Sequence, residues 1–136
     1  MTTEEKAEKA AALRQEHTHN CCQAVAAVLT EELPIAPETV FELASGFAGG
    51  MGNMEGSCGA MVGAAMAVGL QMQGSRSAVA RTRAVQEEFT RRCGALICKD
   101  LKGVGTGKVL CPCEDCVRNA VRAFDSVMGG EGTESQ

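Results

Sequence analysis

Small residues recur every four positions in the middle of this 136-residue chain, and this pattern restricts the fold more than any other feature. Two such rows run through the stretch from 56 to 67: Gly56, Ala60 and Ala64, and Gly59, Gly63 and Ala67. Small side chains let a neighbouring backbone approach closely, which is typical of a helix inside a bundle. With four Phe and no Trp or Tyr, close helix contacts have to supply the packing of the core. The pattern therefore predicts an all-α fold around a central helix near residues 58–73.

Helical spacing of apolar residues predicts the other elements of the bundle. We expect about five helices: 3–31, 37–45, 58–73, 76–92 and a last one that opens at Cys111–Cys116 and ends at Met128. No alternating apolar and polar pattern of useful length indicates a strand. The predicted fold is a single-domain bundle over residues 1–128, and residues 129–136 are predicted to form a disordered tail.

A glycine-rich loop over residues 46–56 stands directly before Cys58 and the central helix. A cysteine at a helix start lies near unpaired backbone NH groups and the positive end of the helix dipole, and both favour its thiolate form. Glycines allow the loop backbone to approach a bound group closely. Because the thiolate binds metals and attacks disulfides, Cys58 is predicted to be a metal ligand or a reactive thiol. The alternative is a cysteine that only fills the core.

Charge and composition exclude several classes of partner. The net charge is −4, from 13 basic and 17 acidic residues without a basic block, so no nucleic-acid partner is expected. The charged start of the chain lacks the apolar core of a secretory signal, which predicts a cytoplasmic protein. The uncharged stretch from Gly56 to Ser75 has a firmly apolar part too short to cross a bilayer, so no membrane is expected either.

Eight cysteines are the main candidates for chemistry, and in the cytoplasm they would stay reduced or bind metal. They are Cys21, Cys22, Cys58, Cys93, Cys98, Cys111, Cys113 and Cys116. Cys58 and the run around Cys113 lie at predicted helix starts, and Cys21 and Cys22 lie near the start of an apolar helical segment. Cys98 is predicted to lie near the end of the fourth helix. If those ends converge, four thiolates from four segments surround one point, which suits a metal or cluster. Spacing leaves open whether Cys21 or Cys22 faces that point, and which of Cys111, Cys113 and Cys116 does.

Two histidines, His17 and His19, stand just before the first cysteine pair and are weaker candidates for metal ligands. Histidines near a helix start are more often solvated than bound to metal.

Six stretches of the sequence together resemble the C_GCAxxG_C_C family of redox-active proteins. They are Asn20-Cys21, Gln23–Val25, Ala44–Gly52, Cys58–Gly63, Cys98 with Leu101 and Gly103, and Cys113 with Val117–Ala120. The resemblance covers residues 17 to 127. It implies that Cys21, Cys58, Cys98 and Cys113 form the functional set and that the other four cysteines are additional.

The same family is similar to the non-haem part of split-Soret cytochromes, which implies that the four cysteines bind an iron–sulfur cluster. A c-type haem is not expected, because Val117 and not His follows Cys113-Glu-Asp-Cys116.

Three functions are consistent with these cysteines. The first is an electron-transfer or redox-sensing protein that holds an iron–sulfur cluster and works with a redox partner protein. The second is a thiol-disulfide oxidoreductase in which Cys58 attacks and a nearby cysteine resolves the mixed disulfide. The third is a zinc-binding structural or storage module, since Cys-x-Cys-x-x-Cys is a good ligand run for zinc as well as for iron.

The small-residue rows also predict a homodimer.

Overall fold

The computed structural model describes residues 1–129 and is all-α, as the sequence predicts. Within those residues there are seven α-helices, one short π-helical segment at Gly50–Met54, and no strand. The α-helices are α1 (Thr3–Gln15), α2 (Cys21–Leu29), α3 (Pro37–Ala44), α4 (Gly59–Gln71), α5 (Ala78–Cys93), α6 (Cys98–Lys102) and α7 (Cys113–Met128). The predicted tail at 129–136 lies, apart from Gly129, outside the described residues.

The prediction of about five helices is wrong, because local signals override the apolar periodicity at three places. Residues 3–31 form two helices, since Asn20 caps α2 through a capping box with Gln23 and interrupts the helical run. The left-handed Gly94 ends α5, so Cys98 begins the separate helix α6 and does not lie near the end of a helix. The third extra element is the π-helical segment inside the glycine-rich loop.

The small-residue helix α4 is buried at the centre of the bundle, as its two rows predict. It packs against α2, α5 and α7, and α7 packs in turn against α1. A Cβ atom on Gly63 would lie 2.7 Å from the carbonyl oxygen of Cys22, so glycine permits the close approach of α2 and α4. Phe89 and Leu101 are the largest fully buried side chains, and alanines, valines and cysteines fill most of the remaining core.

Every helix in residues 1–129 is too short or too polar to span a bilayer.

Helices α1 and α7 run antiparallel and are joined at one end by a largely buried ion pair. The Lys6 ammonium lies 2.8 Å from Asp125, which is 4% exposed and also accepts a hydrogen bond of 2.7 Å from the Thr3 hydroxyl. At the other end, the Arg14 guanidinium donates to the sulfur of Cys113 at 3.3 Å. The ion pair therefore helps to set the register that brings Arg14 to the first residue of α7.

We expect Lys6→Met to destabilise the fold by about 2–3 kcal/mol, because it leaves the buried Asp125 carboxylate with one neutral partner. Chemical denaturation measures this loss. Lys9→Met is the matched control on the same helix: its ion pair with Glu31 is exposed, so its loss should cost less than about 1 kcal/mol. Equal losses in the two variants would contradict this role for Lys6.

Candidate metal centre

Four cysteines from four separate segments line one cavity of about 150 Å³. Cys21, Cys98 and Cys113 are the first residues of α2, α6 and α7, and Cys58 immediately precedes α4. All four therefore lie at helix N-termini, where unpaired NH groups and the helix dipole favour negative charge. These are the same four residues that the family resemblance singled out as the functional set.

Backbone hydrogen bonds fix Cys58 beside Cys98. The NH group of Cys58 donates to the carbonyl of Leu96 at 2.8 Å, and the NH group of Cys98 donates to the carbonyl of Gly56 at 2.9 Å. These bonds flank an isolated antiparallel bridge between Ser57 and Ile97. The residues before α4 and before α6 are thus paired as two short antiparallel backbone segments. This pairing brings both helix starts to one wall of the cavity.

The glycine-rich loop forms another part of the cavity wall and takes the backbone shape that its composition predicts. Gly49, Gly50 and Gly52 have φ angles between 59° and 90°, which few other residues adopt readily. Gly59, the residue after Cys58, allows the closest approach. A Cβ atom there would lie 2.6 Å from the sulfur of Cys21 and 2.9 Å from the carbonyl oxygen of Phe47. The Cys58-Gly59 pair therefore lets the sulfur of Cys21 lie against the start of α4.

A second group of cysteines lies next to this cavity. The sulfur atoms of Cys93, Cys111 and Cys116 all lie within 4.8 Å of one another. Cys93 is the last residue of α5, Cys111 precedes α7, and Cys116 lies in the first turn of α7. The family resemblance implies only that these cysteines are additional, and the run Cys-x-Cys-x-x-Cys is a partial signal of their convergence. Cys58 links the two groups, because the thiol of Cys116 is near enough to its sulfur to lower its pKa.

The remaining candidates lie away from both groups. Cys22 is fully buried in a small apolar cluster, and its sulfur lies 3.8 Å from that of Met66. Burial raises the pKa of its thiol to about 12. His17 is exposed, and the ring of His19 packs edge-on against Phe41. Of the neighbouring cysteines Cys21 and Cys22, the structure therefore brings only Cys21 to the cavity.

A comparison of the sequence with models of protein families gives a match. The model of the family described as "Putative redox-active protein (C_GCAxxG_C_C)" matches residues 19–127. The chain belongs to this family. No curated protein and no solved structure matches it.

Neighbouring thiols and cations favour two thiolates among the four cavity cysteines of this C_GCAxxG_C_C protein. The neighbouring Cys116 thiol lowers the pKa of Cys58 to about 7 against the effect of burial, with help from Lys102 and the NH groups of Ala60 and Met61. The neighbouring Cys21 thiol lowers the pKa of Cys113 to about 6, again against burial and with help from Lys102 and Arg14. The cavity therefore holds negative charge near neutral pH.

The other two cavity thiols stay protonated in the metal-free protein. The neighbouring Cys113 raises the pKa of Cys21, and burial raises it further. Burial raises the pKa of Cys98. A metal ion or cluster would have to displace these two protons, so its uptake should release protons and weaken as the pH falls.

Lys102 is a cation of the cavity wall that the sequence did not indicate. Its ammonium lies 3.6 Å from the sulfur of Cys116. Burial would lower its pKa, but the negative charges of nearby thiolates, Cys58 and Cys113 among them, raise it, so it stays a cation. A lysine in the amphipathic run CKDLK gives no signal in the sequence that it faces the core.

We expect Lys102→Met to raise the pKa of Cys113 in the reduced, metal-free protein, because it removes one of the cations that stabilise this thiolate. Iodoacetamide should then modify Cys113 several-fold more slowly near neutral pH, and the midpoint of the pH profile should move upward. Mass spectrometry of the alkylated protein measures both. Lys99→Met is the control, since Lys99 pairs with Glu55 at 3.0 Å and should leave the profile unchanged.

Proposed function

We propose that the protein is an electron-transfer or redox-sensing protein that holds an iron–sulfur cluster through Cys21, Cys58, Cys98 and Cys113. The observation that carries this proposal is the convergence of four thiols, each from a different helix start, on one cavity. Its volume of about 150 Å³ is well above the roughly 10–15 Å³ that a single water needs. That size favours a group of several atoms over a single ion.

The residues around the cavity suit a negatively charged group. Arg14 donates to the sulfur of Cys113, and the half-buried Lys102 stabilises the thiolates of Cys58 and Cys113. Charges and NH donors around cysteine ligands adjust the reduction potential of an iron–sulfur centre. A bound cluster would supply one-electron transfer at that potential.

Cys113 would give the site its route to a redox partner protein. It is the one cysteine of the eight that is only partly buried, and Arg14 and Asn20 line the same cavity beside it. This edge of the cavity is therefore the proposed path for electrons to and from the partner.

The proposed compartment is the cytoplasm, because a reducing environment would keep the proposed cysteine ligands available for metal. A homodimer stays a prediction, which light scattering of the purified protein would test.

Thiol–disulfide exchange is a second candidate, favoured by the contact between Cys58 and Cys116. The Cys58 thiolate would attack a substrate disulfide, and Cys116 would resolve the mixed disulfide, leaving a Cys58–Cys116 disulfide and a reduced substrate. The lowered pKa of Cys58 suits this role, but Cys58 is 1% exposed. Since a protein disulfide needs access to the attacking sulfur, we prefer the iron–sulfur function.

Two adjacent cysteines allow a matched test of the iron–sulfur function. We expect Cys21→Ser to lose most of the iron found in anaerobically purified wild-type protein, because Cys21 lines the cavity. Cys22→Ser should keep its iron, because Cys22 faces an apolar cluster on the other side of α2. Elemental analysis of both variants measures the difference. Equal iron in the two variants would count against the proposed ligand set.

A further inference from the structure

Three cysteines outside the proposed iron–sulfur site meet at the contact between the end of α5 and the start of α7. The sulfur atoms of Cys93, Cys111 and Cys116 lie within 4.8 Å of one another, and these residues are 4%, 4% and 0% exposed. They come from two segments of the chain separated by α6, so their convergence results from the tertiary packing of α5 against α7.

We propose that Cys93, Cys111 and Cys116 form a second metal site, which binds a single zinc-class ion with three thiolates. Zinc–sulfur bonds of about 2.3 Å place the sulfurs of a tetrahedral site about 3.8 Å apart. From a separation of at most 4.8 Å, small side-chain movements bring the three sulfurs to that spacing. Thiolates are the ligands that a soft ion of this class prefers.

Polar side chains near the three sulfurs form hydrogen bonds of the kind that surround a metal-bound thiolate. The side-chain amide of Asn119 donates to the sulfur of Cys93 at 3.5 Å, and its carbonyl oxygen accepts from Arg122 at 2.9 Å. The bond from Arg122 orients Asn119 with its NH₂ group towards Cys93. Such outer hydrogen bonds fix ligands and adjust metal affinity.

Charge also fits a divalent ion at this site. Three thiolates and one divalent ion leave a single negative charge, and the Lys102 ammonium lies 3.6 Å from the sulfur of Cys116 to balance it. A disulfide is a poorer explanation of the same cluster, because it would join two of the sulfurs and leave the third without a role. The site shares none of its three ligands with the proposed iron–sulfur site, so substitutions of the ligands test the two sites separately.

The test counts zinc and iron in protein purified anaerobically, incubated with Zn²⁺ and freed of loosely bound ion. We expect wild-type protein to hold zinc at the three-cysteine site. Cys93→Ser should lose that zinc and keep its iron, whereas Cys98→Ser should lose iron and keep that zinc. Absence of iron from every sample would refute the iron–sulfur proposal while leaving the zinc result readable.

A second variant keeps all three ligands, so the proposal can still be tested if Cys93→Ser does not fold. Asn119→Leu removes the hydrogen bond to Cys93, so it should weaken Zn²⁺ binding about tenfold in a chelator competition, with iron content unchanged. Any of four results would overturn the proposal. They are no zinc in the wild type, zinc that stays in Cys93→Ser, zinc that disappears only in Cys98→Ser, and a disulfide among the three cysteines in anaerobically purified protein.

Discussion

Cys58→Ser is expected to lose its iron and keep its helices. Cys58 is 1% exposed, precedes the central helix α4, and lines the cavity at the point where Cys116 of the second group is nearest. Serine has nearly the same volume, and its hydroxyl suits the unpaired NH groups at the start of α4. A serine hydroxyl is a much poorer metal ligand than a thiolate at neutral pH. The substitution should therefore remove function with little loss of stability.

A core role for Cys58 predicts the reverse ranking. If its thiol only filled space, the buried hydroxyl would cost on the order of 1–3 kcal/mol, and the iron content would not change. Chemical denaturation and elemental analysis of the same preparations separate the two roles. Cys22→Ser is the control, since Cys22 is equally buried and lies outside both groups. A destabilised Cys58→Ser with wild-type iron would contradict the assignment of Cys58.

Gly59→Ala should have an effect of similar size. A Cβ atom at Gly59 would lie 2.6 Å from the sulfur of Cys21 and 2.9 Å from a backbone carbonyl oxygen of Phe47. The backbone at Phe47 cannot move away unless the whole loop moves, so either α4 or the sulfur of Cys21 must shift. We expect the loss of most of the iron and a destabilisation of about 1–3 kcal/mol from overpacking.

Gly69→Ala is the matched control on the same helix, because no atom lies within 4 Å of its added Cβ. It should keep its iron and gain up to about 1 kcal/mol, since alanine is a better helix former than glycine. If Gly59→Ala behaved like Gly69→Ala in both iron content and denaturation, the close approach of Cys21 to α4 would not matter for the site.

The helical class and the central position of α4 could be predicted from the sequence, because small-residue rows and apolar spacing are properties of a single helix. Helix boundaries at Asn20 and Gly94 were harder to predict, since a capping box and a left-handed glycine act locally and interrupt no apolar pattern. Helix α6 has five residues, which is too short for any periodicity to show.

The two groups of cysteines differ in how far the sequence could predict them. The resemblance to the family indicated Cys21, Cys58, Cys98 and Cys113, and the structure brings them to one cavity. The group of Cys93, Cys111 and Cys116 depends on how α5 meets α7, which sequence spacing does not encode. The same holds for the cations, because Arg14 and Lys102 reach the sulfurs only through the packing of α1 and α6.

The most direct test of the iron–sulfur function is the iron and acid-labile sulfide content of anaerobically purified protein, together with its visible absorption spectrum. We predict a brown protein that contains both iron and sulfide and that loses both together in Cys21→Ser. A colourless protein that contains zinc but neither iron nor sulfide would contradict the account.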